Sequence, residues 1–136
     1  MKSIPGGVCA PKGFLASGIH CGIRKNKDKR DLALIYSEVP ASAAAVYTQN
    51  LVKGAPLLVT KDHLADGLAR AVIVNSGNAN TCNANGVEIA KAMCALTANA
   101  LQIDARDVVV ASTSVIGQPL PIEPIEKGVK PLVDGL

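Results

Sequence analysis

One pattern restricts the fold of this chain more than any other: strand, polar turn, helix, strand, polar turn, within fewer than fifty residues. Ala71-Val72-Ile73-Val74 runs into Asn75-Ser76-Gly77-Asn78-Ala79-Asn80, and Val108-Val109-Val110-Ala111 runs into Ser112-Thr113-Ser114-Val115-Ile116-Gly117. Short β-branched runs bounded by polar residues read as buried strands. Between them, Val87, Ala90, Cys94, Thr97 and Leu101 fall on one helical face, with Ile89, Met93 and Leu96 beside it. Met93 and Cys94 read as core, not as ligands. Asn85 with Glu88 three residues later has the pattern of a capping box, and Asp104 opens a short turn before the second strand. If the two strands joined by this helix are parallel neighbours, both polar turns lie at one edge of the sheet and would line one cleft.

The two turns differ in chemistry. Ser112, Thr113 and Ser114 would present hydroxyls and backbone N–H groups at the end of a rigid strand, a suitable place for an oxyanion or a carboxylate. Asn75, Asn78 and Asn80 are weaker pocket candidates; Asn and Gly tolerate left-handed backbone and leave amides directed at whatever lies above the strand end. Ordinary strand exits with solvated side chains are the alternative that these residues allow.

The remaining elements are read in order. Pro5-Gly6-Gly7 makes an opening turn. Phe14 to Ile23 has strand character interrupted by Gly18 and Gly22, and the charged run from Arg24 to Arg30 is a solvated turn. Asp31 to Ser37 is a strand, Pro40 closes the loop after it, and Ala43 to Thr48 is read as another strand. Pro56 to Thr60 is a third apolar run, followed by a short helix from Lys61 to Leu68 closed by a Gly, with His63 on its surface. Ile122, Ile125, Val129 and Leu132 predict a helix with Pro124 in its first turn and Pro131 ending or kinking it.

Composition narrows the class. With 49% hydrophobic residues but one Phe, two Tyr and no Trp, the core must be built from Ala, Val, Leu and Ile. The 136 residues suit one domain, or a piece of one, with no internal boundary. Six of the fourteen basic residues lie between Lys12 and Arg30, and no recognition motif accompanies them, which argues against nucleic acid as a partner. Cys9, Cys21, Cys82 and Cys94 have no C-x-x-C spacing, so zinc is weakly supported. The start, Met1-Lys2-Ser3-Ile4-Pro5, has no apolar leader, and no run approaches the roughly 20 apolar residues of a membrane helix. A reduced, cytoplasmic protein with mostly buried or inert thiols is expected. On pattern alone the chain is an α/β or α+β domain, a mixed sheet with covering helices and a polar pocket at the strand ends, its nucleophile and base unidentified.

Several segments together resemble the ornithine acetyltransferase family, also called glutamate N-acetyltransferase or the bifunctional arginine-biosynthesis acetyltransferase. They are Gly6 to Phe14, Asp31 to Ser37 with Val39-Pro40-Ala41, Val52 to Pro56, Val74 to Asn80, and Ala111 to Gly117 followed by Pro119-Leu120-Pro121. The resemblance implies an ornithine acetyltransferase-type sandwich, incomplete in this chain. It implies a precursor that cuts itself before a Thr, an alpha chain and a beta chain, and two copies of each. The beta chain's N-terminal Thr would be the nucleophile, moving acetyl from N-acetylornithine to glutamate in arginine biosynthesis. No cofactor is implied, although acetyl-CoA is a substrate in some members. Residues 1–136 would be the amino-terminal part of the alpha chain, or a truncated copy, without the nucleophile.

The same resemblance makes Thr113 and Ser114 the oxyanion hole, Thr113 through its hydroxyl and Ser114 through its backbone N–H. The family's turn is Ser-Thr-Gly-Val-Ile-Gly, so Ser114 stands in the place of a Gly. A positive φ at that position would strain Ser; a negative one would not. Two other functions remain compatible with the sequence: a non-catalytic domain that binds a small molecule or a partner, and an amidohydrolase with an N-terminal nucleophile.

Overall fold

The computed structural model describes residues 3–136; the expectation of a start with no apolar leader falls partly on Met1 and Lys2, which lie outside the described residues. Four strands form one mixed sheet in chain order: β1 (Phe14–Ile19), β2 (Leu32–Ser42), β3 (Leu68–Asn75) and β4 (Val108–Ser112). β1, β2 and β3 are antiparallel neighbours, while β3 and β4 are parallel, with Asn75 opposite Ser112. The helices are α1 (Ala55–His63), α2 (Gly86–Leu101) and α3 (Glu123–Asp134). The parallel pair, joined by the expected helix, is therefore present.

The core lies between the sheet and its helices. Strand alternation sends Leu32 and Leu34, Ala71 and Ile73, and Val108 and Val110 to one face. There they meet Val59 from α1, Ala90, Met93, Cys94 and Ala98 from α2, and Ile125, Val129 and Leu132 from α3. Each large aliphatic side chain withdrawn from water contributes roughly 1.5–3 kcal/mol. The scarcity of aromatics lets elements approach closely: a methyl group on Gly128 of α3 would sit 2.7 Å from Cβ of Cys21. On the opposite face Ile35, Val72 and Val109 form a row across three strands and are only half-buried, so the layers are those of an incomplete sandwich.

α1 also resolves the free edge of β4. The Thr60 hydroxyl donates to the Val110 carbonyl (2.9 Å) and accepts from the Val110 N–H (3.2 Å), acting as a missing strand partner. Nδ1 of His63, one turn on, donates to the Val108 carbonyl at 2.8 Å. His63 is thus buried, contrary to the expected surface position, because its partner lies on a strand far along the chain.

Other expectations change for local reasons. Residues 43–54 have no regular structure, and the expected strand from Ala43 to Thr48 is absent. β2 instead runs through Pro40 to Ser42, and its pairing breaks between Tyr36 and Ala41, where a residue without an N–H costs no ladder bond. Pro56 opens α1, so the apolar run from Pro56 to Thr60 is helical. A single 3-10 turn, Leu64–Asp66, then closes at Gly67 with φ +75°. β1 stops at Ile19 rather than Ile23. α2 starts after Asn85 but has no capping box: no side chain caps it, and Glu88 is exposed. α3 continues through Pro131 to Asp134, with Leu132 buried beyond the proline.

Candidate active-site turn at the ends of two parallel strands

Both polar turns lie at the same end of the β3–β4 pair, and the first carries the second. The Asn75 carbonyl accepts the Thr113 N–H (3.0 Å), the Ala79 N–H donates to the Val115 carbonyl (2.8 Å), and the Thr81 carbonyl accepts the Gly117 N–H (3.1 Å). Side chains add to this. Nδ2 of Asn75 donates to Oγ of Ser112 (2.9 Å), and Nδ2 of Asn78 donates to the carbonyls of Gln118 (3.0 Å) and Pro119 (3.3 Å). Leu120, buried in the core just beyond, pins the far end.

Thr113 to Gly117 is exposed. Among the described residues the N–H groups of Ser114, Val115 and Ile116 have no hydrogen-bond partner. Three consecutive N–H groups are thus left as free donors on a turn held at both ends, and free backbone N–H groups are the kind that can face an anion. Ser114 has φ +126°, the conformation in which a side chain is strained. The oxyanion pair expected from the sequence, Thr113 and Ser114, therefore falls on this turn.

Asn75, Asn78 and Asn80 are also brought to this end, but they are buried and their amides are turned inward. Oδ1 of Asn75 accepts the N–H groups of Gly77 and Asn78, Oδ1 of Asn78 accepts the N–H of Asn80, and Nδ2 of Asn80 donates to the Gly86 carbonyl. They build the floor of the site rather than lining an open pocket.

A cavity of about 360 Å³ adjoins the strand end. Gly54, Leu57 and Thr60 form one side, Val110 and Ser112 another, and the irregular stretch through Val46 and Tyr47 a third. A larger groove of about 450 Å³ between α2 and α3, bordered by Glu126, Lys130 and Asp134, is remote from the free N–H row. The cavity beside Ser112 is the one next to the strand end that carries the turn, although Thr113 to Gly117 do not line it.

The sequence reading missed Asp31, taken there only as the first residue of a strand. Its buried carboxylate accepts the N–H groups of Cys21 (2.7 Å), Gly22 (3.2 Å) and Arg24 (2.8 Å), and lies 3.2 Å from Nδ1 of His20. Burial pushes its pKa up, but the N–H groups of Arg24 and Cys21, the Cys21 thiol and the nearby His20 outweigh that and hold it below the usual carboxylate value. Its carbonyl accepts the N–H of Ser76 at 2.9 Å, so the residue ties the loop before β2 to the first polar turn. An Asp directly before an apolar strand and after a Gly-containing loop was the available signal.

The thiols are free, but only in part as expected: Cys94 is buried and Cys21 half-buried, each pushed up to about 12 chiefly by burial, while Cys9 and Cys82 are exposed. Among the described residues no cluster could hold a metal ion, and no helix is long and apolar enough to cross a membrane.

The profile of the ArgJ family matches residues 15–136. The chain belongs to the ArgJ family. Two relatives, each named arginine biosynthesis bifunctional protein ArgJ, illustrate the relation. The protein from Caldanaerobacter subterraneus subsp. tengcongensis is 47% identical over 131 residues, 96% of this chain and 32% of its own length. The protein from Listeria monocytogenes is 48% identical over 134 residues, 97% of this chain and 33% of its own. The chain thus spans about a third of the length of these ArgJ proteins. Among solved structures, ArgJ from Bacillus halodurans superposes with a TM-score of 0.83 at 45% identity, over 88% of this chain and 62% of that one. Ornithine acetyltransferase from Mycobacterium tuberculosis, determined in complex with ornithine, superposes with a TM-score of 0.87 at 41% identity, over 93% and 69%.

Proposed function

We propose that this ArgJ-family chain is the amino-terminal part of a glutamate N-acetyltransferase, one segment without an internal boundary, and that its Thr113–Ser114 turn is the oxyanion hole. The nucleophile in this reading is the N-terminal Thr of a beta chain released by self-cleavage, in an assembly with two copies of each chain in the cytoplasm. That Thr hydroxyl attacks the acetyl carbonyl of N-acetylornithine while its own α-amine takes the proton. The carbonyl π electrons move onto oxygen, where the Thr113 hydroxyl and the Ser114 N–H hold the charge. The bond to ornithine nitrogen then breaks, the proton goes to the departing amine, and an acetyl ester remains on Thr. The glutamate amine attacks that ester by the same route, giving N-acetylglutamate and free Thr. Acetyl-CoA would enter only as an alternative acetyl donor.

The observation that carries this reading is the row of unpaired N–H groups at Ser114, Val115 and Ile116 on a turn fixed at both ends. Donors that are ordered before the charge develops favour the transition state without reorganisation. The likeness to a structure determined with ornithine bound supports the substrate class. The test is acetyl transfer from N-acetylornithine to glutamate by this segment assembled with the rest of its family chain. Intact-mass spectra should show a second species beginning at Thr, and Thr113→Ala should slow transfer. Unchanged transfer in that variant would remove Thr113 from the mechanism.

A second reading rests on Ser114, whose φ of +126° strains the turn where the family resemblance implies Gly. The chain would then bind a carboxylate ligand without catalysis. Saturable binding of ornithine or glutamate derivatives, with no acetyl transfer by the complete assembly, would favour it.

A further inference from the structure

We infer that Asn75 and Asn78 are positioning residues for the Thr113–Gly117 turn, clamping its two ends so that the N–H groups between them stay unpaired. The catalytic part of this inference rests on the oxyanion reading; the geometric part does not.

The Asn75 amide has no capacity to spare for a ligand, and the Asn78 amide keeps only one acceptor position, on a buried side chain. Nδ2 of Asn75 donates to the Asn78 carbonyl (2.8 Å) and to Oγ of Ser112 (2.9 Å), while Oδ1 accepts two N–H groups, from Gly77 (2.8 Å) and Asn78 (3.0 Å). That is every bond a primary amide ordinarily makes. Nδ2 of Asn78 is shared between the Gln118 and Pro119 carbonyls, and its Oδ1 is held by the Asn80 N–H at 2.7 Å. Asn75 therefore grips the residue before the turn and Asn78 the two residues after it. The backbone beneath takes up the first and last N–H groups of the turn, those of Thr113 and Gly117, and leaves the three between them free. A short exposed loop ending in Gly would otherwise be free to close on itself and pair those donors.

Two isosteric changes separate the two ends. Asn78→Asp puts an oxygen where an amide N–H₂ faced two carbonyls, a repulsive contact with no local remedy. Asn75→Asp is milder, because its new oxygen opposes one carbonyl, that of Asn78, rather than two, and the Ser112 hydroxyl can rotate to donate to it. In the complete assembly, Asn78→Asp should lower kcat by about ten- to a hundredfold, as small misplacements of catalytic donors do. KM for N-acetylornithine should stay within about twofold, because the lost interaction belongs to the transition state. Asn75→Asp should fall between Asn78→Asp and the parent. Hydrogen exchange over residues 75–81 and 112–119 should show Ala79, Thr113 and Gly117 protected in the parent and less protected in Asn78→Asp.

A kcat loss that only tracks the folded fraction, or a rise in KM with kcat kept, would overturn the inference. If Asn78→Asp fails to fold, Ser112→Ala, which removes an acceptor of Asn75 and leaves β4 intact, takes its place: a lower kcat at unchanged KM supports the clamp, and an unchanged kcat overturns it. If Thr113→Ala leaves transfer unaffected, the oxyanion reading has failed and exchange decides alone. Unaltered protection of Ala79, Thr113 and Gly117 in the clamp variants then overturns the inference.

Discussion

The two polar turns leave the sheet side by side, one buried and the other exposed, and they handle their backbone groups in opposite ways. Below, Asn75, Asn78 and Asn80 use amides, which both donate and accept, to satisfy the groups of a turn withdrawn from water. Above, Ser112, Thr113 and Ser114 have short hydroxyls that cannot reach across the turn, and N–H groups of the exposed segment remain open. Burial explains the contrast: an unpaired polar group costs about 1–3 kcal/mol in the interior and little at the surface. A floor of inward-bonded amides thus supports an exposed layer with unspent donors, a division suited to holding charge that appears only transiently.

The sharpest way to break this contrast is to remove one group from each layer. Thr113→Ala takes a hydroxyl from the exposed turn and should lower kcat by about 10² to 10³, equivalent to roughly 3–4 kcal/mol of transition-state stabilisation. Its urea midpoint should barely move, because exposed substitutions away from packed features usually stay within about 0.5 kcal/mol. Asn80→Ala takes an amide from the floor. It strips the Gly86 carbonyl of its donor and places Ala at φ +48°, so folding stability should fall by about 2–3 kcal/mol. A large stability loss in Thr113→Ala, or none in Asn80→Ala, would show that the two layers are not divided in this way.

Asp31 extends the test to the anchor of the floor. Because its folded pKa lies below the unfolded value of 3.8, the carboxylate adds stability that is fully present above that value. The contribution is lost as pH falls through the lower folded pKa. Asp31→Asn keeps the shape but offers one acceptor oxygen where three N–H groups were held. It should cost about 2 kcal/mol at neutral pH, and the gap to the parent should narrow below about pH 4. A gap that is constant across that range would assign the cost to geometry rather than charge.

The features set by local sequence were legible. The β-branched runs and the helix between them were readable as two strands whose turns share one end if the strands are parallel neighbours, and β3 and β4 meet that condition. Features set by distant partners were not. His63 and Thr60 are buried because β4 needs its edge covered, and nothing near position 63 announces a strand at 108. Asn75 and Asn78 were read as pocket candidates because acceptors of their amides, Ser112 for Asn75 and Gln118 and Pro119 for Asn78, lie some forty residues away. Pro56 to Thr60 is too short an apolar run to separate strand from helix by periodicity, and Ala43 to Thr48 lost its strand when β2 continued past Pro40. The proposed oxyanion pair, Thr113 and Ser114, rests on family resemblance; that its neighbours Val115 and Ile116 also keep free N–H groups emerged only from the fold.

The smallest expected effect falls where the two layers meet in strain. Ser114 contributes to the proposed site through its N–H, which glycine retains, while its side chain is held at φ +126°. Positive φ at a non-glycine residue costs on the order of 1–3 kcal/mol, and the extra freedom of glycine in the unfolded chain returns part of any gain. Ser114→Gly should therefore raise stability by about 1 kcal/mol or slightly less, measured as a shift in urea midpoint at constant slope. If strain also misdirects the N–H, the same variant should raise kcat several-fold, since even a modest improvement in donor alignment acts on the transition state alone. A gain in stability with kcat unchanged would mean that the floor already sets the direction of this N–H. A loss of stability would mean that the Ser114 side chain makes a contact that offsets its strain.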